Sequence, residues 1–326
     1  MPNPDIVDTQ KQELINQILA GDFRAIARLL TLVENRSREA VPYLRELFQH
    51  TGRSFTVGIT GAPGAGKSTL IDKLAEFYHT EGQKIGIIAV DPTSPFTGGA
   101  ILGDRIRMQS RSLDSGTFIR SMASRGHVGG LARATADVLT VMDAAGFDIV
   151  LIETVGVGQG EIEVAETTDA TIVILVPGMG DDIQVLKAGI MEIGDIFIIN
   201  KADHPGADRT EAELGGLLSM STRPDGWNPP VIRTVASEGS GIRECIQAIS
   251  TYRAFLLDSK LRKDEAVRIQ KDRLLELACL QTREALLQDP RTAALIADLA
   301  KLVAARKLDP FSAAEEVLRM HSLQFR

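Results

Sequence analysis

Phe55-Thr-Val-Gly-Ile-Thr60 runs straight into Gly61-Ala62-Pro63-Gly64-Ala65-Gly66-Lys67-Ser68-Thr69, and the reading of this junction decides the fold. A short β-rich run is followed by a glycine-rich loop that opens a helix, and the loop meets every specified position of the P-loop pattern. The glycines let successive backbone N–H groups turn towards phosphates without a Cβ clash. The helix start, which Thr69 shares, adds the positive end of its dipole. Lys67 supplies a point charge for the β and γ phosphates, and the Ser68 hydroxyl is a magnesium ligand.

Outward from this loop the chain alternates short apolar runs with helical stretches. The further strand candidates are Lys84–Val90, Ile149–Ile152, Thr171–Val176, Ile196–Ile199 and Val231–Val235. Nearly continuous apolar runs are how strands buried on both faces of a parallel sheet read. The βαβα order predicts an α/β domain, a P-loop NTPase with a doubly wound, mostly parallel sheet. Before it, residues 1–50 read as a helical extension in which Asp22 caps a segment with Phe23, Ile26, Leu29, Leu30 and Leu32 at roughly helical spacing. A second such segment runs from Ala40 to Phe48. Residues 51–257 form the nucleotide-binding domain. Residues 258–326 read as a helical arm: Leu261 to Leu287, a break at Asp289-Pro290, then helices around Ala293–Ala305 and Ser312–Met320. The first arm helix carries more apolar residues than a solvated single helix needs, among them Val267, Leu274 and Leu280, which predicts packing against another surface.

Asn200-Lys201-Ala202-Asp203 follows the strand Ile196–Ile199. The Asp203 carboxylate can accept from both N1–H and the exocyclic amine of guanine, whereas adenine offers an acceptor at N1. The tetrapeptide therefore predicts GTP and GDP, rather than adenine nucleotides, as ligands. Ala236, in Thr234–Gly239 after the last strand, would present backbone to the guanine edge. Glu153-Thr-Val-Gly156 ends the strand Ile149–Ile152, at the Walker-B position. A carboxylate there can hold magnesium through a water, and the Gly156 N–H can sense the γ phosphate. A helix cap is the plainer use of Glu153. The Gln159 amide follows at a spacing from which it could orient water. Asp91 opens a loop rich in Gly, Pro and hydroxyls, and Asp104 follows near a helix start. Both acids could join the magnesium shell, with an N-cap as the lesser reading of Asp104.

Composition limits the partners. The chain of 326 residues is 44% hydrophobic, 24% charged and 5% aromatic, with net charge −7. Nothing in it points to nucleic acid or anionic lipid. No apolar run reaches the length of a membrane span, and the polar start Met1–Asp8 is unlike a targeting segment. Cys245 and Cys279 are the only cysteines, isolated from each other, as expected of reduced thiols in a cytoplasmic protein.

The stretches GITGAPGAGKSTLID, AVDPTSPFTGGAILGDRIRM, RGHVGGLARAT, FDIVLIETVGVGQGEIEVA and INKAD together resemble the MeaB, MMAA and ArgK-type GTPases, chaperones of adenosylcobalamin-dependent acyl-CoA mutases such as methylmalonyl-CoA mutase. The resemblance spans roughly Leu14 to Tyr252. It implies a homodimer held by the C-terminal arm, and a GTPase that is slow alone and stimulated by its mutase. GTP binding and hydrolysis would gate adenosylcobalamin loading, protection and reactivation. The family's magnesium and catalytic carboxylates fall on Asp91, Asp104 and Glu153, beside Ser68. A mobile loop coupling mutase contact to hydrolysis falls on Pro177–Lys187, with Lys187 as its catalytic-contact lysine. The sequence departs from the family at Gly158-Gln159-Gly160-Glu161, where Gly160 replaces the usual serine. His127, in the Arg125–Gly130 segment, reads as a polar loop residue more readily than as a ligand.

Three other classes fit less well. A metallochaperone GTPase of the nickel-insertion type shares the G domain but usually carries His-rich tracts or a Cys/His site, against five scattered histidines here. A kinase or ATPase has no need of Asp203. A non-enzymatic module would not need the full phosphate and magnesium set.

Overall fold

The computed structural model describes residues 4–91, 117–123, 130–154, 167–178, 191–220, 223–258 and 260–323. The chain divides into two compact units, residues 1–259 and 260–326.

The first unit is built on seven parallel strands: β1 (Phe55–Gly61), β2 (Ile85–Asp91), β3 (Phe118–Ala123), β4 (Ile149–Thr154), β5 (Ala170–Leu175), β6 (Ile196–Asn200) and β7 (Val231–Thr234). Their order across the sheet is β3-β2-β4-β1-β5-β6-β7. The phosphate loop thus leaves the middle strand. β1, β4, β5 and β6 are buried along their whole length, which explains their near-continuous apolar sequence.

The longer helices among the described residues of this unit are α1 (Pro4–Leu19), α2 (Phe23–Glu34), α3 (Val41–Leu47), α4 (Lys67–Thr80), α5 (Gly130–Ala144), α6 (Ala207–Met220) and α7 (Ile242–Asp258). On one sheet face α4 and α7 bury Leu70, Ile71, Leu74, Ile246 and Ile249 against Val57, Ile59, Leu151, Ile172 and Ile198. On the other face, Ile15, Ile26, Leu29, Leu30, Val138 and Met142 from α1, α2 and α5 pack with Ile88, Val90, Val150 and Ile152. A smaller cluster joins Val173, Leu175 and Phe197 to Leu214 of α6. The N-terminal helices therefore belong to the core of the first unit. Asp22 caps α2 by accepting from the Arg24 and Ala25 N–H groups, both at 2.8 Å.

β3 has no counterpart among the strands read from sequence. Arg120 and Ser121 interrupt its apolar pattern, and it lies at the edge of the sheet. α2 supplies the reason: Arg120 donates to Glu34 Oε2 at 2.9 Å and to Thr31 Oγ1 at 3.1 Å, so its charge faces a helix.

The strand starts are held by aspartates. Asp143 accepts from the N–H groups of Gly52, Arg53 and Ser54, Asp148 from Lys84, Asp169 from Thr56 and Asp195 from Thr171. Asp195 is also met by Arg223 at 2.9 Å, which in turn pairs with Asp225. Burial pushes the Asp195 carboxyl up, and the Tyr252 hydroxyl and the Arg223 charge pull it back only in part. Trp227 donates to the Asp195 carbonyl at 2.8 Å and packs on Tyr252 and Phe255.

The second unit contains α8 (Lys260–Gln288), α9 (Pro290–Ala304) and α10 (Pro310–Leu323). Asp289 ends the long helix by capping the next, accepting from the Thr292 N–H at 3.0 Å, and Asp309 does the same for α10 through Phe311 and Ser312. α8 leaves Val267, Leu274, Leu275 and Leu287 exposed.

Arg223→Ala removes the cation from the buried Asp195 and is expected to cost the first unit about 3 kcal/mol. Urea unfolding followed by the fluorescence of Trp227, the sole tryptophan, should show a lowered midpoint; an unchanged one would mean that Asp195 needs no cation there.

Candidate functional site

The carboxyl ends of β1, β4, β2 and β6 form one edge of the sheet, where α/β folds of this kind take ligands. β1 enters the phosphate loop through Gly61, whose φ is +142°. A side chain there would put its Cβ 2.3 Å from the Ile174 carbonyl oxygen of β5, so only glycine lets the loop leave between the strands. Gly66, the N-cap of α4, has φ +93°, and a Cβ on it would lie 2.2 Å from Asn200 Nδ2. The loop and the β6 end are fitted to each other at this point.

Lys67 begins α4 and is buried, its ammonium donating to the carbonyls of Gly61 at 2.7 Å and Ala62 at 3.2 Å. The charge is thus held inside the turn of the phosphate loop. Ser68 donates to Glu153 Oε1 at 2.6 Å, and Glu153 is buried in β4 with only 4% of its surface exposed. Register explains the meeting: Ile59 pairs with Glu153, which sets the carboxylate beside the strand that launches the loop. Two hard oxygen donors side by side at a helix start fit a magnesium-type cation, which takes one or two protein oxygens and fills its shell with phosphate and water. Among the described residues no group of three or more His, Cys, Asp or Glu is placed to hold a metal ion.

Asn200 closes the site from the other side. Its Nδ2 donates to the Ala65 carbonyl at 2.8 Å, and its Oδ1 accepts from Thr234 Oγ1 at 3.0 Å and the Ala236 N–H at 3.1 Å. Lys201, in the left-handed region at φ +55°, reaches the Gly64 carbonyl at 2.9 Å. The Ala202 N–H donates to the Thr234 carbonyl at 3.0 Å, and the His204 N–H to the Lys201 carbonyl at 2.9 Å. This turn presents Asp203 half-exposed, with the His204 imidazole beside it. Sequence reasoning passed over Thr234 and His204 as individual contributors. Adjacency to Asp203 was the only available signal for His204, and the Thr234 contact needs the β6–β7 pairing.

Gly61 to Thr69, Glu153, Asn200 to Asp203 and Ala236 are therefore gathered on one edge of the sheet. Asp91 ends β2 on the same edge, one position beyond the Val90–Thr154 pairing; its side chain lies outside the described residues, as do Asp104, His127, Gly156, Gln159, Gly160 and Lys187.

A family model described as methylmalonyl Co-A mutase-associated GTPase MeaB matches residues 26–294. The chain belongs to this family. A Pyrococcus horikoshii protein provisionally named a GTPase is 47% identical, the match covering 94% of this chain and 96% of that one. The methylmalonic aciduria type A homolog of Caenorhabditis elegans, a mitochondrial protein by its name, is 32% identical over 96% of this chain and 83% of its own. Among solved structures, that of a LAO/AO transport system kinase aligns over 99% of both chains with TM-score 0.69 and 26% identity. The chain is thus a MeaB-family GTPase on a P-loop fold, as its long motifs imply. No helix among the described residues is long and apolar enough to cross a membrane.

Gly66→Ala must displace Asn200 and strain a left-handed position. It is expected to weaken binding of a fluorescent GDP analogue by about tenfold or more. Parental affinity in that titration would show that the Gly66–Asn200 fit does not matter.

Proposed function

We propose that this MeaB-family GTPase binds GTP with magnesium, hydrolyses it slowly alone, and uses the cycle to gate adenosylcobalamin loading, protection and reactivation of a methylmalonyl-CoA-type mutase. The carrying observation is the joint between the phosphate loop and the Asn200–Asp203 turn. Asn200 and Lys201 each bond a loop carbonyl, so a phosphate site and a base-reading carboxylate are built as one piece.

Each residue's role follows from its chemistry. The N–H groups from Gly64 to Thr69 and the α4 dipole receive phosphate oxygens. Lys67 exchanges its carbonyl partners for β and γ phosphate oxygens. Ser68 donates its hydroxyl hydrogen to Glu153 and would offer a lone pair to the cation, so Glu153 both orients the hydroxyl and adds negative charge. Ser68, with Glu153 behind it, would hold the magnesium ion, which would supply positive charge to offset the charge developing on the phosphates. Asp203 accepts from guanine N1–H and its amine, while Ala236 faces the base edge through its backbone. Asp91 and Asp104 would complete the carboxylate set, Gly156 would sense the γ phosphate, Gln159 would orient the attacking water, and Lys187 would answer the partner. The exposed apolar residues of α8 support a homodimer made through the C-terminal helices. The mutase partner is supported by the family's name, and a cytoplasmic setting by the isolated cysteines.

GTP hydrolysis should be measured with ATP as control, alone and with adenosylcobalamin-dependent acyl-CoA mutases of the same organism. GTP-selective turnover that rises with one mutase supports the reading; turnover indifferent to every mutase removes the chaperone assignment. Lys67→Ala should lower nucleotide affinity by about a hundredfold, since it deletes charge-assisted bonds to two phosphates. Asp203→Asn should trade GTP for xanthosine triphosphate, and retained GTP preference would defeat the guanine assignment.

A further inference from the structure

On the α4 side of the sheet, the ends of β1 and β4 are tied by the bond from Ser68 to Glu153. The opposite side of the same two ends is not tied. Strand alternation sends Val57 and Ile59 of β1 into the cluster under α4, and Glu153 of β4 faces the same way to meet Ser68. Thr60 and Thr154, the next residue of each strand, therefore share the other face. The Ile59–Glu153 pairing makes them cross-strand neighbours, and their partners on the outer strands are Val173 of β5 and Val90 of β2. Both threonines are buried, 2% and 4% exposed. Threonines placed in this way stabilise a sheet by bonding each other, and these two do not. The Thr60 hydroxyl has no hydrogen-bond partner among the described residues, and the Thr154 hydroxyl reaches the Ile59 carbonyl at 3.4 Å.

A buried hydroxyl without a partner costs stability. Valine fills nearly the same space without that cost, and valine stands beside each threonine on the same face. The place of the pair in the chain indicates what its hydroxyls serve. Thr60 leads into Gly61, where the phosphate loop leaves the sheet; Thr154 follows Glu153 and stands two residues ahead of Gly156.

We propose that Thr60 and Thr154 are positioning residues that latch the β1 and β4 ends together: their hydroxyls, unjoined here, bond to each other when GTP is bound. The proposal rests on the reading of this edge as the GTP site. A hydroxyl donates and accepts at once, so Thr154 can accept from Thr60 while still donating to the Ile59 carbonyl. That Thr154–Ile59 contact is longer than the usual O–H···O bond of about 2.7–2.8 Å, so the strand ends stand slightly apart on this face. Phosphates on the loop, with a cation at Ser68 and Glu153, load both ends together, and drawing them closer gives the Thr60 hydroxyl its partner. Gly156 is the residue assigned to the γ phosphate, so the triphosphate closes the latch and the diphosphate leaves it open.

The test is a double-mutant cycle on the full chain with Thr60→Val, Thr154→Val and the double variant. Each protein is titrated with methylanthraniloyl-GDP and with the methylanthraniloyl derivative of a non-hydrolysable GTP analogue, both with magnesium. Each is also unfolded in urea without nucleotide, followed by Trp227 fluorescence. Without nucleotide, Thr60→Val should unfold at an unchanged or higher urea concentration, because it removes an unpartnered group. A lowered midpoint would show the hydroxyl already satisfied and would overturn the latch. For the GTP analogue each single variant should lose about three- to fivefold in affinity, and the double variant no more than either, since all three delete one bond. GDP affinity should stay within about twofold of the wild type on the same reasoning, and Thr60→Ser, which keeps the hydroxyl, should bind the analogue as the wild type does. Additive losses, or equal losses with GDP and the analogue, overturn the proposal. A wild type that binds neither nucleotide defeats the GTP reading itself; one that binds both while the cycle is flat defeats the latch alone.

Discussion

One carboxamide holds this site together. Asn200 gives its N–H to the phosphate loop at Ala65 and takes hydrogen bonds from Thr234 and Ala236 on its oxygen. The first of these contacts spans 135 residues of sequence, and all three are buried, where an unmade hydrogen bond is costly. The glycine at 66 exists to make room for that side chain. The phosphate loop, the Asn200–Asp203 turn and the segment Thr234–Ala236 consequently share one geometry, and a shift in any of them is felt by the others.

The opposite edge of the sheet is finished in a different manner. There Asp143, Asp148, Asp169 and Asp195 take the first N–H groups of β1, β2 and β5 or of the segments leading into them. Carboxylates capping strand starts leave that edge closed and well satisfied, with Arg223 offsetting the one that burial penalises most. The sheet is therefore anchored at its base, and the ligand edge carries the conformationally demanding residues: Gly61, Gly66 and Lys201, all at positive φ.

The sequence was most legible where one physical requirement dominates. Strands buried on both faces announce themselves as apolar runs, and the phosphate loop as glycines ahead of Lys67. Asp22 and Asp289 were readable as helix punctuation for the same reason: one local hydrogen-bonding demand, met by the nearest side chain. β3 was hidden because its central Arg120 is satisfied by Glu34, more than eighty residues away, and no local pattern encodes such a partner. Placing residues 1–50 in the core of the first unit was equally hidden, since amphipathic helices do not state which surface they cover. At the site, the placing of Lys67, Ser68, Glu153 and Asn200 at strand ends was legible. The bond from Asn200 to Ala65 needed the strand order to be seen.

That strand order has a consequence for how the chain is made. β1 and β2 are consecutive in sequence but not neighbours in the sheet, because β4 lies between them. While the chain is being synthesised, the slot between these two apolar strands stays open until residues 149–154 have emerged, and β1 is closed on its other side only by β5. The central strand of the molecule is thus the first strand made, yet it is fully paired only after β5 has emerged. Non-local pairing of this kind folds slowly and leaves apolar edges exposed meanwhile, which makes the half-finished chain itself a candidate for chaperone protection.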